Sequence, residues 1–336
     1  MVAVITGAAI VVGVAVLAPR AGAAATAAGT AIRQDAVSTV AQAAAVRYWT
    51  PARMTAALRT TDGQPAKAPA GRVRHLVKQA QPKAAATPPL PWLTGDTGGR
   101  GFPWTHGGAV TDAVGKVFFT LGAEDYVCSG TLVGGKRSDV VLTAAHCVTG
   151  GSGPGNVPQW ATNWMFVPGF SDGQMPYGEY TARRFFATPD WTGPGGGSEQ
   201  YDVAFVQVAG ATLHGGAGPA QPPAGLPVAF TGGQDAVPAG RAYVFGYPAE
   251  PPYNGLSLSY CAGPATASDG SLGTACAMTA GDSGGPWLAP FSPRPGTGTV
   301  VAVCTYKVSD NLRVLYGAVL GPQARTLYQR AVSSAG

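Results

Sequence analysis

The chain has 336 residues, 46% of them hydrophobic and 12% charged, with 49 glycines and 29 prolines. Apolar content is ample for a core, and many Gly and Pro with few charges suit a loop-rich all-β protein of one large or two ordinary domains. The net charge of +5 does not mark a nucleic-acid binder: residues 1–100 carry 11 Lys/Arg against 3 Asp/Glu, residues 101–336 carry 11 against 14, and no basic cluster interleaves with aromatics.

Residues 2–18 are almost wholly apolar, and small residues follow at 21–25. This reads as the core and cleavage region of a secretory signal peptide, placed at 1–29. No Lys or Arg precedes the run, and a short uncleaved membrane anchor is the alternative. Residues 30–100 are rich in Ala, Pro, Lys and Arg. They are expected to form a largely flexible pro-segment or linker that buries little apolar surface. Within them, 36–58 has the pattern of a helix broken at Pro51.

From Gly101 short apolar runs recur between turn residues, at 116–121, 129–133, 140–144, 164–167, 183–187 and 203–208. A Gly/Pro-rich bridge spans 215–227, and a second set follows at 242–246, 256–260, 285–288, 299–304 and 312–319. Such spacing predicts an all-β fold of two six-stranded antiparallel barrels, about 101–215 and about 225–320. Ala324, Leu327, Tyr328 and Ala331 lie at helical spacing and predict a C-terminal helix over 322–333.

The stretch with the most chemistry is Thr279-Ala280-Gly281-Asp282-Ser283-Gly284-Gly285-Pro286. Glycines on both sides of Ser283 permit a tight loop that exposes one hydroxyl and turns backbone N–H groups towards it. A serine nucleophile needs a base, and the base an orienting acid. Of four histidines, His146 ends the apolar run 140–145, whereas His106 and His214 sit among loop residues and are assigned no role. Asp202 opens the run 203–208; Asp139, Asp190 and Glu199 are rivals in principle.

TAAHC at 143–147, YDVAF at 201–205 and GDSGGP at 281–286, in that order, resemble the signature segments of trypsin-like serine proteases of the chymotrypsin fold. The resemblance covers roughly residues 101–336. Cys-Ala-Met-Thr at 276–279 and Phe-Gly-Tyr-Pro at 245–248 resemble bacterial secreted members, of actinobacterial and glutamyl-endopeptidase-like type.

The resemblance implies a secreted serine endopeptidase that hydrolyses protein or peptide substrates through an acyl-enzyme. Its site would lie between the barrels, with Ser283 as nucleophile, His146 as base and Asp202 as orienting acid. The N–H groups of Gly281 and Ser283 would form the oxyanion hole. A pro-region is commonly removed from such enzymes on maturation. The family places a disulfide at Cys128–Cys147; Cys261–Cys276 is expected as the second, leaving Cys304 buried and unpaired. No metal, cofactor, nucleic acid or stable membrane association after signal cleavage is expected, and the protein is read as a monomer.

The primary pocket is expected at Ala277, six residues before the nucleophile, with Cys304, Thr305, Tyr306 and Tyr316 as its wall. Trypsin-like preference for Lys/Arg needs an acid at Ala277, unless Asp269 or Asp310 reaches in from loops. The histidine of glutamyl-specific relatives is missing from 299–307. These points lean towards a medium apolar or small substrate residue. Asp282 needs a cationic partner if buried. The N-terminal start that supplies an amine in many relatives is not found, so Arg241 is expected there. Two other readings compete: a catalytically inactive or very narrow-specificity binding protein on the same fold, and an α/β-hydrolase esterase. The esterase predicts the order Ser, Asp, His, which this chain lacks.

Overall fold

Short strands and tight turns build two barrels in the computed structural model, which describes residues 33–59, 96–134, 139–152, 158–194, 198–210, 223–237, 240–268, 270–308 and 311–334. The signal-peptide region, Asp269, Asp310 and His214 lie outside the described residues. Among those described, no helix is long and apolar enough to cross a membrane.

The elements begin with β1 (Arg33–Ala36), α1 (Thr39–Tyr48), α2 (Pro51–Ala57), β2 (Phe102–Pro103) and α3 (Ala109–Ala113). The first barrel then uses β3 (Val114–Leu121), β4 (Glu124–Val133), β5 (Val140–Thr143), β8 (Thr162–Pro168), β9 (Tyr180–Ala187) and β10 (Ala204–Val208). A small hairpin, β6 (Thr149–Ser152) and β7 (Pro158–Trp160), lies between β5 and β8 in sequence. The strands pair in the order β9-β10-β5-β4-β3-β8, and β8 closes onto β9. The second barrel uses β11 (Arg241–Gly246), β12 (Ser259–Ser268), β13 (Ser271–Ala275), β14 (Pro286–Ser292), β15 (Thr297–Val308) and β16 (Asn311–Val319). Its order is β11-β14-β15-β16-β13-β12, closed by β11 on β12. Closure of β8 on β9 involves only Tyr180 and Thr181, which leaves the rest of β9 open to a further strand.

The segment between the barrels stitches them together. Leu226 N–H donates to the Leu132 carbonyl of the first (2.8 Å), and Ala229 N–H to the Val300 carbonyl of the second (3.0 Å). The C-terminal helix α4 (Pro322–Ser333) turns Leu327, Ala324 and Ala331 inward. Its Tyr328 ring packs 5.5 Å from Phe205 of β10, so the chain's last helix lies against the first barrel.

Three expectations need correction. Residues 33–59 were expected within a segment that buries little, yet they pack on the first barrel. β1 adds to the edge of β9 with Gln34 opposite Phe186, and the helix breaks at Pro51 into α1 and α2. Trp49 is fully buried, its indole N–H donating to the Asn163 carbonyl and its ring 5.4 Å from Phe118. Tyr48 donates to Asp125 (2.9 Å). Neighbouring strand residues face opposite ways, yet Phe118 and Phe119 of β3 are both fully buried. Trp49 covers the face bearing Phe118, so both faces of β3 are buried at this point. Secondly, residues 102–103, assigned by sequence to the first barrel, pair with β12 of the second, Tyr260 opposite Phe102. Thirdly, the run 256–260 is a strand only from Ser259, and β13 was missed. Ser271–Ala275 is Ser-Leu-Gly-Thr-Ala, too small and weakly apolar to signal a strand.

Trp49→Ala is expected to cost about 3–5 kcal/mol of folding stability, as for other fully buried aromatics. Denaturant unfolding of the chain containing residues 33–59 measures it; a change within about 0.5 kcal/mol would mean the segment is not part of the folded body.

Candidate active site

The register of β5 and β10 brings the base and its acid together. Ala204 lies opposite Thr143 in the antiparallel pair, so the residues just before β10 and just after β5 emerge at the same end. Asp202 caps a 3-10 turn over Glu199–Tyr201, and His146 sits in a 3-10 turn over Ala145–Cys147. Both are fully buried. The carboxylate grips the histidine at two points: Oδ2 lies 2.6 Å from Nδ1, and Oδ1 accepts from the backbone N–H at 2.8 Å. A two-point grip fixes both the ring and the peptide that carries it. It also places the Nδ1 proton on the carboxylate side, so a neutral ring presents its lone pair at Nε2. The fully buried Trp191 ring packs 6.3 Å from the imidazole.

Cys147, next to His146, is bonded to Cys128 of β4. That bridge closes a loop of 19 residues and contributes about 3 kcal/mol in the chain-entropy description. Cys261–Cys276 is the second disulfide, and Cys304 is buried and belongs to neither bridge. Cys128, His146 and Cys147 bring three metal-ligand atoms together, but the two sulfurs are bonded to each other and offer no thiolate.

The loop with Ser283 comes from the second barrel and meets the first through Ser129 of β4. Ser129 N–H donates to the Ser283 carbonyl (2.7 Å), and its hydroxyl donates to the Gly281 carbonyl (2.8 Å). The same hydroxyl accepts from Tyr247 N–H at 2.8 Å. The Cys147 sulfur lies 3.9 Å from the Ser283 carbonyl oxygen, so the serine loop abuts the turn that carries His146. Gly281 and Gly284 take φ of +99° and +80°. A Cβ on Gly284 would run into Ser129, Thr143 and Ala144, so this position demands glycine twice over.

A cavity of about 510 Å³ opens beside Ser283, lined among others by Ala277, Thr305, Tyr306, Lys307 and Arg313. Of the expected wall, Ala277, Thr305 and Tyr306 face it. Cys304 is fully buried in the second-barrel core. Tyr316 stacks on Tyr306, centroids 4.9 Å apart, and is not among the residues lining the cavity. Lys307 was missed, though it is the one charged residue in 299–307.

Arg241 does not serve Asp282. The Asp282 Cβ packs where a side chain on Gly246 would stand, and Arg241 lies five residues away at the other end of β11, about 17 Å at the strand rise. Its guanidinium sits 3.7 Å from Asp96 instead. Lys307 feels the charge of Asp282. Burial pushes its amine below the ordinary lysine range, while the charge of Asp282 and then of Cys304 pulls it back up.

Ser129→Ala is expected to remove the hydroxyl shared by Gly281 and Tyr247 and cost about 1–3 kcal/mol, the penalty for stranding buried polar groups. Thermal or urea unfolding checks it, and an unchanged midpoint would count against the clamp.

Comparison with known proteins agrees with this geometry. The trypsin-like peptidase domain family matches residues 128–291. The protease Anisep from Arthrobacter nicotinovorans is 34% identical, with 66% of this chain and 96% of that one covered at a TM-score of 0.55. The thermostable serine protease AL20 from an extremophilic microorganism is 29% identical, with 68% and 100% covered at 0.56. A Glu endopeptidase, 17% identical over 69% of this chain and 96% of its own at 0.50, shares the fold. No curated protein matches the chain by sequence. With two closed barrels and a buried His–Asp pair facing a Gly-Asp-Ser-Gly-Gly loop, the chain belongs to the trypsin-like serine peptidases of the chymotrypsin fold, and it is a serine endopeptidase.

Proposed function

We propose that Ser283, His146 and Asp202 carry the reaction in a secreted, monomeric enzyme. The observation that carries this reading is the two-point grip of Asp202 on His146, with the Ser283 loop docked against the same turn. As Ser283 Oγ bonds to the scissile carbonyl carbon, His146 Nε2 takes its proton and the carbonyl becomes an oxyanion. The N–H groups of Gly281 and Ser283 receive that charge. Collapse of the intermediate breaks the C–N bond, and His146 returns the proton to the leaving amine. Water then repeats the sequence on the acyl-enzyme, with His146 again as base. Asp202, buried and 2.6 Å from Nδ1, stabilises the imidazolium that forms in each step.

Export is supported by the apolar run at 2–18 and by two disulfides, which persist in oxidising compartments. Residues 1–29 would be removed as a signal peptide. The segment 30–100 is then read differently from a wholly discarded pro-region, because its part from 33 to 59 packs on the first barrel.

Ser283→Ala is expected to abolish cleavage of a diverse peptide library and labelling by a fluorophosphonate. Asp202→Asn should lower kcat by about 10⁴-fold with the fold intact, because the amide favours the wrong imidazole tautomer. Library cleavage and steady-state kinetics read both. An Asp202→Asn enzyme within about tenfold of the parent would remove Asp202 from this role.

A further inference from the structure

We infer that Lys307 sets the primary specificity of the site, selecting substrates with Glu or Asp at the residue that enters the cavity beside Ser283. This rests on the endopeptidase reading above and departs from the apolar or small residue that Ala277 alone implies.

Lys307 lies near the end of β15 and faces the same cavity as Ser283 and Ala277. Its ammonium donates to the Cys276 carbonyl at 2.6 Å and to the Leu312 carbonyl at 2.8 Å. Cys276 immediately precedes Ala277, and Leu312 lies on the facing strand β16. The side chain is therefore held at two points where the pocket walls meet. Two of its three N–H donors go to these carbonyls, which leaves one for a ligand among the described residues. Carbonyl acceptors orient an ammonium without cancelling its charge.

The other charges at the cavity do not reverse this balance. Arg313 and Glu250 are both exposed at its edge and oppose each other. Asp282 is buried beside the nucleophile, and its charge offsets part of the penalty that burial imposes on Lys307. A substrate carboxylate reaching the ammonium would offset more of it and gain a charge-assisted hydrogen bond. A neutral isostere gains only the weaker bond, and a Lys or Arg side chain meets a like charge. Tyr306, stacked on Tyr316, provides a rigid apolar wall for the methylenes of such a side chain.

The test is kcat/KM for peptides identical except for Glu, Asp, Gln, Ala, Leu or Lys at the cleaved position, run on the full chain and on Lys307→Met, with fluorophosphonate labelling and a melting curve for each. The wild type is expected to prefer Glu over Gln by about 10- to 100-fold, the range of a hydrogen bond to a charged group, and to cleave the Lys peptide least. Lys307→Met should bring the Glu/Gln ratio close to 1 while still labelling at Ser283 and cleaving the Ala and Leu peptides. A wild-type Glu/Gln ratio near 1 alongside efficient cleavage of other peptides overturns the assignment and leaves the protease reading standing. So does a ratio unchanged in Lys307→Met. No cleavage and no label in the wild type overturns both. Should the variant fail to fold, inhibition of the wild type by acetylated peptides ending in Glu or in Gln decides: Glu is expected to inhibit more tightly by a similar factor, and equal inhibition overturns the proposal.

Discussion

The site depends on one serine that is not part of it. Ser129 stands on the first barrel and holds the second by three hydrogen bonds, to Ser283, Gly281 and Tyr247. Its hydroxyl both gives and receives, so neither the loop carbonyl nor the strand-end N–H is left stranded. A nucleophile from one barrel and a base from the other can cooperate only if the barrels hold a fixed relation. Misplacement of about 1 Å costs such chemistry roughly a hundredfold. Ser129 acts at the seam where that error would arise. Leu226 and Ala229 repeat the stitching on the connecting segment.

Local chemistry was legible in the sequence, and contact across the fold was not. His146, Asp202 and Ser283 each sit in a short string whose residue types are dictated within a few positions, and the Cys128–Cys147 bridge followed from the same resemblance. The alternation of turns and apolar runs marked most strands. Ser129 carries no such mark, since its importance comes from a surface 118 to 154 positions away. β13 is built of small residues that pack without announcing themselves. Tyr48 and Trp49 were overshadowed by the Ala- and Pro-rich composition around them. Lys307 is neither the acid nor the histidine that the family pattern places in such pockets, and only its position on an otherwise neutral strand sets it apart.

Strand geometry explains why Arg241 is not the partner of Asp282. A strand transmits position rigidly, so Arg241 at one end of β11 cannot answer a carboxylate packed at the other. Lys307 reaches the region from β15, whose Cys304 backbone is bonded to Gly284 and Gly285 of the serine loop. The acid beside the nucleophile and the cation in the pocket are thus electrostatically linked, and a change at either alters the conditions for the other.

The packing of Tyr328 on Phe205 bears on when the enzyme becomes competent during its own synthesis. β10, which follows Asp202 directly, has its aromatic face covered by a helix encoded more than a hundred residues later. The first barrel can be made in full and still lack that cover. The final surroundings of β10 therefore wait for residues 322–333.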